Sequence, residues 1–121
     1  MAEPQKFANF INGQWKEPQG GNYYPDINPA DYSDIVGYFP LSTKNDVDEA
    51  IQAAHIAFKS WSHMLPAERA KYLEKFAQLL DQEKQRIGEA LCREEGKTIK
   101  EAVGEPARGA VETSFFIGEG Q

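Results

Sequence analysis

A chain of 121 residues, 40% apolar and 26% charged, is long enough for one soluble domain with a modest core and too apolar for wholesale disorder. A formal net charge of −6, with no basic stripe interleaved with aromatics, excludes nucleic acid or an anionic membrane as the main partner. The opening MAEPQKFANFINGQW lacks the basic start and apolar run of a signal peptide, and no apolar stretch reaches the length of a membrane span. Cys92 stands alone, which leaves no disulfide framework and no cysteine zinc spacing; the expectation is a cytoplasmic protein.

The first part of the chain is rich in turns and aromatics. FANFINGQW places Asn12-Gly13 between two short apolar runs, the strongest local signal for a two-residue hairpin turn. NYYPDIN and DIVGYFPL are two further strand candidates, so residues 8–41 read as a small antiparallel sheet. The period then changes. Thr43 followed by Asp46 resembles a capping box and opens a helix over 44–62, with Val47, Ala50, Ile51, Ala54, Phe58 and Trp61 as its apolar stripe.

HMLP interrupts that helix, and Pro66 suits the first turn of the next, over 66–95, where its missing N–H would have no partner. Tyr72, Leu73, Phe76, Leu79 and Leu80 share one side, continued by Ile87, Ala90 and Leu91; a bend near Asp81–Gln85 would split the segment in two. Gly96 is a C-terminal stop. A last helix over 98–118 carries Ile99, Val103, Pro106, Ala110 and Ile117 along one side, and Pro106 predicts a kink because it removes the bond to the Ala102 carbonyl. The fold class is α+β: small N-terminal antiparallel strands followed by three or four helices.

The inventory for catalysis is thin. A nucleophile needs a base in hydrogen-bond reach, and Cys92 has no histidine nearby in sequence; it reads as a structural thiol. His55 at the edge of a helical stripe and His63 in a turn lack metal partners at i+4. Glu68, Glu74, Asp81, Glu83 and Glu89 read as solvated helix surface. Neither GxGxxG after a strand nor GxxxxGK[ST] occurs, so no phosphate cradle is encoded. Catalytic, cofactor-binding and metal-binding residues are therefore expected to be absent from this chain.

One feature of the last helix stands apart. At 100° per residue Gly104, Arg108, Val111 and Phe115 fall together, opposite the Ile99–Val103–Ala110 stripe, which makes the helix apolar on two sides. Such a helix is covered on both sides in a globular protein, and little chain is left to do it. Arg108 itself has a plain alternative role, because Glu105 and Glu112 stand at helical ion-pair spacing from it.

FINGQW, INPADYSDIVGYFPLSTKNDVDEAIQAAHIAFKSW and PAERAKYLEKFAQLLDQEKQRIGEALCREEGKTIKEAVGE, in that order, resemble the N-terminal segment of the aldehyde dehydrogenase superfamily. NPADYSDIVGYFPLST with GEPARGAVETSFFIGEG is most similar to the bacterial 2-oxoglutarate semialdehyde (2,5-dioxovalerate) dehydrogenases within it. The resemblance implies the first quarter or so of an NAD(P)-dependent enzyme, belonging to its α/β Rossmann-like cofactor domain, with the nucleophilic cysteine, the general-base glutamate and the cofactor-binding strands all beyond Gln121. It implies a homo-oligomeric parent with NAD or NADP as cofactor and an aldehyde as substrate, and a chain that is inactive by itself.

In the family the helix that matches GKTIKEAVGEPARGAVE runs along the substrate tunnel. Members that take aldehydes with a distal carboxylate or phosphate often carry an arginine where Arg108 stands, and the resemblance makes Arg108 the candidate substrate-binding residue. Pro106 departs from the apolar non-proline residue of many relatives. The competing reading of the chain is a self-standing helical module that docks a partner protein through the exposed side of its last helix.

Overall fold

The computed structural model describes residues 4–120, which form short antiparallel strands followed by three helices. Where length alone suggests a single domain, the chain gathers into two compact units, one up to Ser62 and one from His63.

In the first unit β1 (Asn9–Ile11) and β2 (Gln14–Lys16) pair antiparallel, with Phe10 opposite Trp15. Asn12 and Gly13 both take positive φ, 52° and 74°, the backbone that a two-residue turn between right-twisted strands requires. A second two-stranded sheet pairs β3 (Tyr23–Ile27) with β4 (Ile35–Pro40), with a register irregularity between Asp26 and Ile27. Its connection is held by side-chain turns: Asn28 Oδ1 accepts from the Ala30 N–H at 2.9 Å and Asp31 Oδ1 from the Ser33 N–H at 3.0 Å. The strands thus form two separate ribbons, because neither pair is hydrogen-bonded to the other.

Helix α1 (Lys44–Trp61) begins on a reciprocal cap. The Thr43 N–H donates to Asp46 Oδ2 at 2.7 Å, and the Asp46 N–H donates back to Thr43 Oγ1 at 3.4 Å. Asp46 has a second task that spacing does not reveal. Its carboxylate also accepts from the Gln19 N–H at 3.0 Å, which ties the segment after β2 to the start of α1 and leaves Asp46 only 4% exposed. Lys16 pairs with Glu49 alongside. The apolar stripe of α1, by contrast, stays largely in solvent: Val47, Ile51 and Phe58 are all exposed.

In the second unit α2 (Pro66–Glu95) is a single uninterrupted helix, with Pro66 in its first turn. Gly96 ends it in the left-handed region at φ 71°, where a side chain would be strained. Helix α3 (Ile99–Glu119) starts at Thr98, whose hydroxyl accepts from the Glu101 N–H at 3.4 Å. It runs unbroken through Pro106, so the proline costs the Ala102 carbonyl its helical partner without ending the helix.

The two helices lie antiparallel, Gly88 meeting Val103 at one level and Leu80 meeting Gly109 at another. Their approach is close: a Cβ added at Gly88 would lie 2.5 Å from Val103 Cγ2 and 2.7 Å from its Cα. Such a crossing admits only small side chains. The seam is accordingly built from Ala70, Ala77 and Gly88 on α2 and Ala102, Pro106 and Ala110 on α3, with Ala102 fully buried.

The expected α3 stripe is buried at Pro106 and Ala110, and Leu80, Ile87 and Leu91 of the α2 stripe are half-buried, but the rest of the expected inside faces needs correction. Tyr72, Leu73, Phe76 and Leu79, read as the core side of α2, are all exposed, Phe76 at 52%. Ile99 is likewise half in solvent, while Ala102, outside the expected stripe, takes the most buried place. Hydrophobic size marks a face that can be buried; backbone proximity chose the face that is. Among the described residues no large side chain is fully buried.

Candidate functional site

Helix α3 presents Arg108 outward, its side chain 78% exposed. Of the two glutamates at helical spacing, Glu112 takes it: Arg108 Nε donates to Glu112 Oε1 at 2.7 Å. Glu105 is engaged elsewhere, because Lys97 Nζ bridges it to Glu95 from the end of α2. Both basic groups are held firmly charged. Hydrogen bonds donated to Glu105 and then Glu95 lift Lys97 well above the ordinary lysine range, and the one donated to Glu112 raises Arg108 as well.

Lys97, Glu101, Gly104, Glu105 and Arg108 line one surface depression of about 450 Å³. Two cations face two carboxylates there, so the depression has no large field of its own. A Cβ at Gly104 would meet nothing within 4 Å, which leaves the space beside Arg108 open. The depression can receive a group that pairs with a guanidinium through its outer edge. Lys97 and Glu101 are the lining residues that sequence reasoning passed over; their places one residue past the Gly96 stop and three past Thr98 were the available signals.

A larger groove of about 590 Å³ follows the α2–α3 seam, bounded by Ala77, Asp81, Ala110, Val111 and Ser114. Ser114 and the carboxylates of Glu74 and Asp81 line it, but the Ser114 hydroxyl donates to the Ala110 carbonyl at 2.9 Å, so it is spent on its own helix. Cys92 is half-buried at the end of α2, where its thiol donates to the Lys97 carbonyl at 3.1 Å. The thiol serves the helix terminus. His55 lies on the exposed face of α1, and His63 follows the end of that helix. Among the described residues no three His, Cys, Asp or Glu side chains gather as metal ligands.

The described strands make antiparallel ribbons, and none of them leads through a glycine-rich loop into a helix. These residues do not fit a dinucleotide phosphate, which needs helix N-terminal N–H groups at the end of a parallel strand. No described helix is long and apolar enough to cross a membrane.

The arrangement of ribbons and helices is that of the N-terminal part of aldehyde dehydrogenases. An NAD-dependent aldehyde dehydrogenase from Sinorhizobium meliloti superposes with a TM-score of 0.91 at 26% identity, over 96% of this chain and 24% of its own. The profile of the aldehyde dehydrogenase family matches residues 15–121, and the chain belongs to that family. Two relatives from Bacillus subtilis (strain 168) are each 42% identical. They are alpha-ketoglutaric semialdehyde dehydrogenase, over 99% of this chain and 25% of the relative, and malonate-semialdehyde dehydrogenase, over 98% and 24%. The chain thus spans about a quarter of the length of the relatives it matches.

Proposed function

We propose that this chain is the N-terminal part of the cofactor-binding domain of a cytoplasmic, homo-oligomeric, NAD(P)-dependent aldehyde dehydrogenase that oxidises a carboxylate-bearing semialdehyde to the acid. Within it, Arg108 binds the carboxylate at the far end of the substrate. The observation that carries this reading is the 42% identity, along nearly the whole chain, to an enzyme named for a semialdehyde that bears a carboxylate. The second relative is named for another such semialdehyde.

The chemistry of Arg108 supports the assignment. A guanidinium stays charged at any working pH and grips a carboxylate through two parallel N–H donors. Arg108 uses Nε for Glu112, which leaves its two terminal nitrogens as donors, and no side chain crowds Gly104 one turn before it. The part of this chain is to bind and orient one end of the substrate. The oxidation itself draws on groups outside these residues, where the nicotinamide would supply the hydride acceptor.

The test is Arg108→Ala in the complete enzyme. Loss of a charge-assisted pair should lower kcat/KM for an acidic semialdehyde about tenfold to a hundredfold. An uncharged aldehyde of similar length should be much less affected. An equal loss on both substrates would show that the arginine supports α3 through Glu112, and the substrate assignment would fall.

A further inference from the structure

Arg108 carries a long flexible side chain at an exposed position, and an unrestrained arginine there would sample many rotamers. The structure fixes it from one side only. Glu112, one turn later on α3, accepts from Nε at 2.7 Å, and Glu105, the other carboxylate within helical reach, is drawn off by Lys97. Among the described residues the guanidinium has no bonded partner other than Glu112. A carboxylate placed on Nε leaves the two terminal nitrogens as a parallel pair of donors.

We infer that Glu112 is a positioning residue for substrate selection: by holding Nε it orders the Arg108 guanidinium, with its two terminal nitrogens left as donors, before an acidic substrate arrives. This rests on the assignment of Arg108 as the carboxylate-binding group. The Lys97 bridge to Glu95 and Glu105 belongs to the same device. By occupying Glu105 it removes the alternative carboxylate that would compete with Glu112 for Arg108. An already ordered arginine forms its substrate pair without first losing rotamer freedom, and the benefit appears in binding.

The competing role for Glu112 is that of a rival anion, which a substrate carboxylate must displace. The two roles predict opposite signs. If Glu112 positions Arg108, Glu112→Ala in the complete enzyme raises KM for an acidic semialdehyde about two- to tenfold, the scale of ordering one rotamer-rich side chain. The ratio of kcat/KM values for acidic over uncharged aldehyde falls by the same factor, with kcat for the acidic substrate little changed. Glu112→Gln, whose amide oxygen can still accept from Nε, restores most of that ratio.

A lower KM for the acidic substrate in Glu112→Ala would overturn the inference in favour of the rival-anion role. An unchanged ratio, or no rescue by Glu112→Gln, would overturn it as well. Arg108→Ala, assayed in parallel, separates the two levels. If it collapses the acidic-over-uncharged ratio while Glu112→Ala does not, only the positioning role fails. If Arg108→Ala leaves the ratio intact, the substrate assignment fails and takes the positioning role with it.

Discussion

Gly88 and Gly104 lie in helix interiors, and replacing either by alanine should have opposite effects. In an isolated helix the change is favourable by about 0.8–1 kcal/mol, because alanine loses less backbone freedom. At Gly104 the new Cβ meets nothing within 4 Å, so that gain should appear nearly undiminished. At Gly88 the same atom would sit 2.5 Å from Val103 Cγ2, 2.7 Å from Val103 Cα and 2.8 Å from Val103 N. The methyl could rotate aside; the two backbone atoms cannot. Ordinary carbon contacts begin at about 3.5 Å, so α2 and α3 must part by roughly 1 Å. Overpacking of this kind costs about 1–3 kcal/mol, and the parting also loosens the seam around Ala102 and Pro106. After the helix gain is subtracted, Gly88→Ala should destabilise the second unit by up to about 2 kcal/mol. Urea unfolding followed by helical circular dichroism, at constant m, measures both variants against the parent chain. Equal stabilisation by the two substitutions would refute the close helix approach.

Three further outcomes follow from named contacts. The Thr43 N–H chiefly, with the Gln19 N–H acting the same way against burial, holds the Asp46 carboxyl below its ordinary 3.8. Its contribution is therefore present above that value and lost as pH falls through the lowered folded value. Thermal scans across the acid range should show a steeper loss of stability for the parent than for Asp46→Asn; identical acid limbs would remove Asp46 from the account. Val111, Phe115 and Phe116 are exposed at 70%, 63% and 64%, and each is worth about 1.5–3 kcal/mol when buried. The purified chain should self-associate in sedimentation and do so less as Phe115→Ser/Phe116→Ser; a strictly monomeric parent would count against this. Incubated with short aldehydes and NAD or NADP, the chain alone should reduce no cofactor above a buffer blank, since the Cys92 thiol is hydrogen-bonded to the Lys97 carbonyl and no described strand leads through a glycine-rich loop into a helix.

The sequence by itself determined what depends on neighbours along the chain. Asn12-Gly13 can adopt the paired positive φ of a tight hairpin, Thr43 and Asp46 can exchange hydrogen bonds across one helical turn, and Gly96 can close a helix in the left-handed region. These are short-range geometries, and residue type nearly dictates them. Antiparallel strands followed by helices were legible for that reason, and the family was legible from the ordered segments that resemble it.

Tertiary structure decided the matters in which two distant segments compete for the same space or the same partner. Apolar periodicity put Tyr72, Leu73 and Phe76 inside, yet the buried places where α2 meets α3 go to glycine, alanine and proline, with Leu80 and Val103 beside them. Spacing offered Arg108 both Glu105 and Glu112 and could not choose between them. Lys97, eight residues before Glu105, made the choice by taking it, and Arg108 was left to Glu112. Asp46 likewise gained the Gln19 N–H from a segment 27 residues away. Helical period states which side chains share a face; only the packed chain states what that face meets.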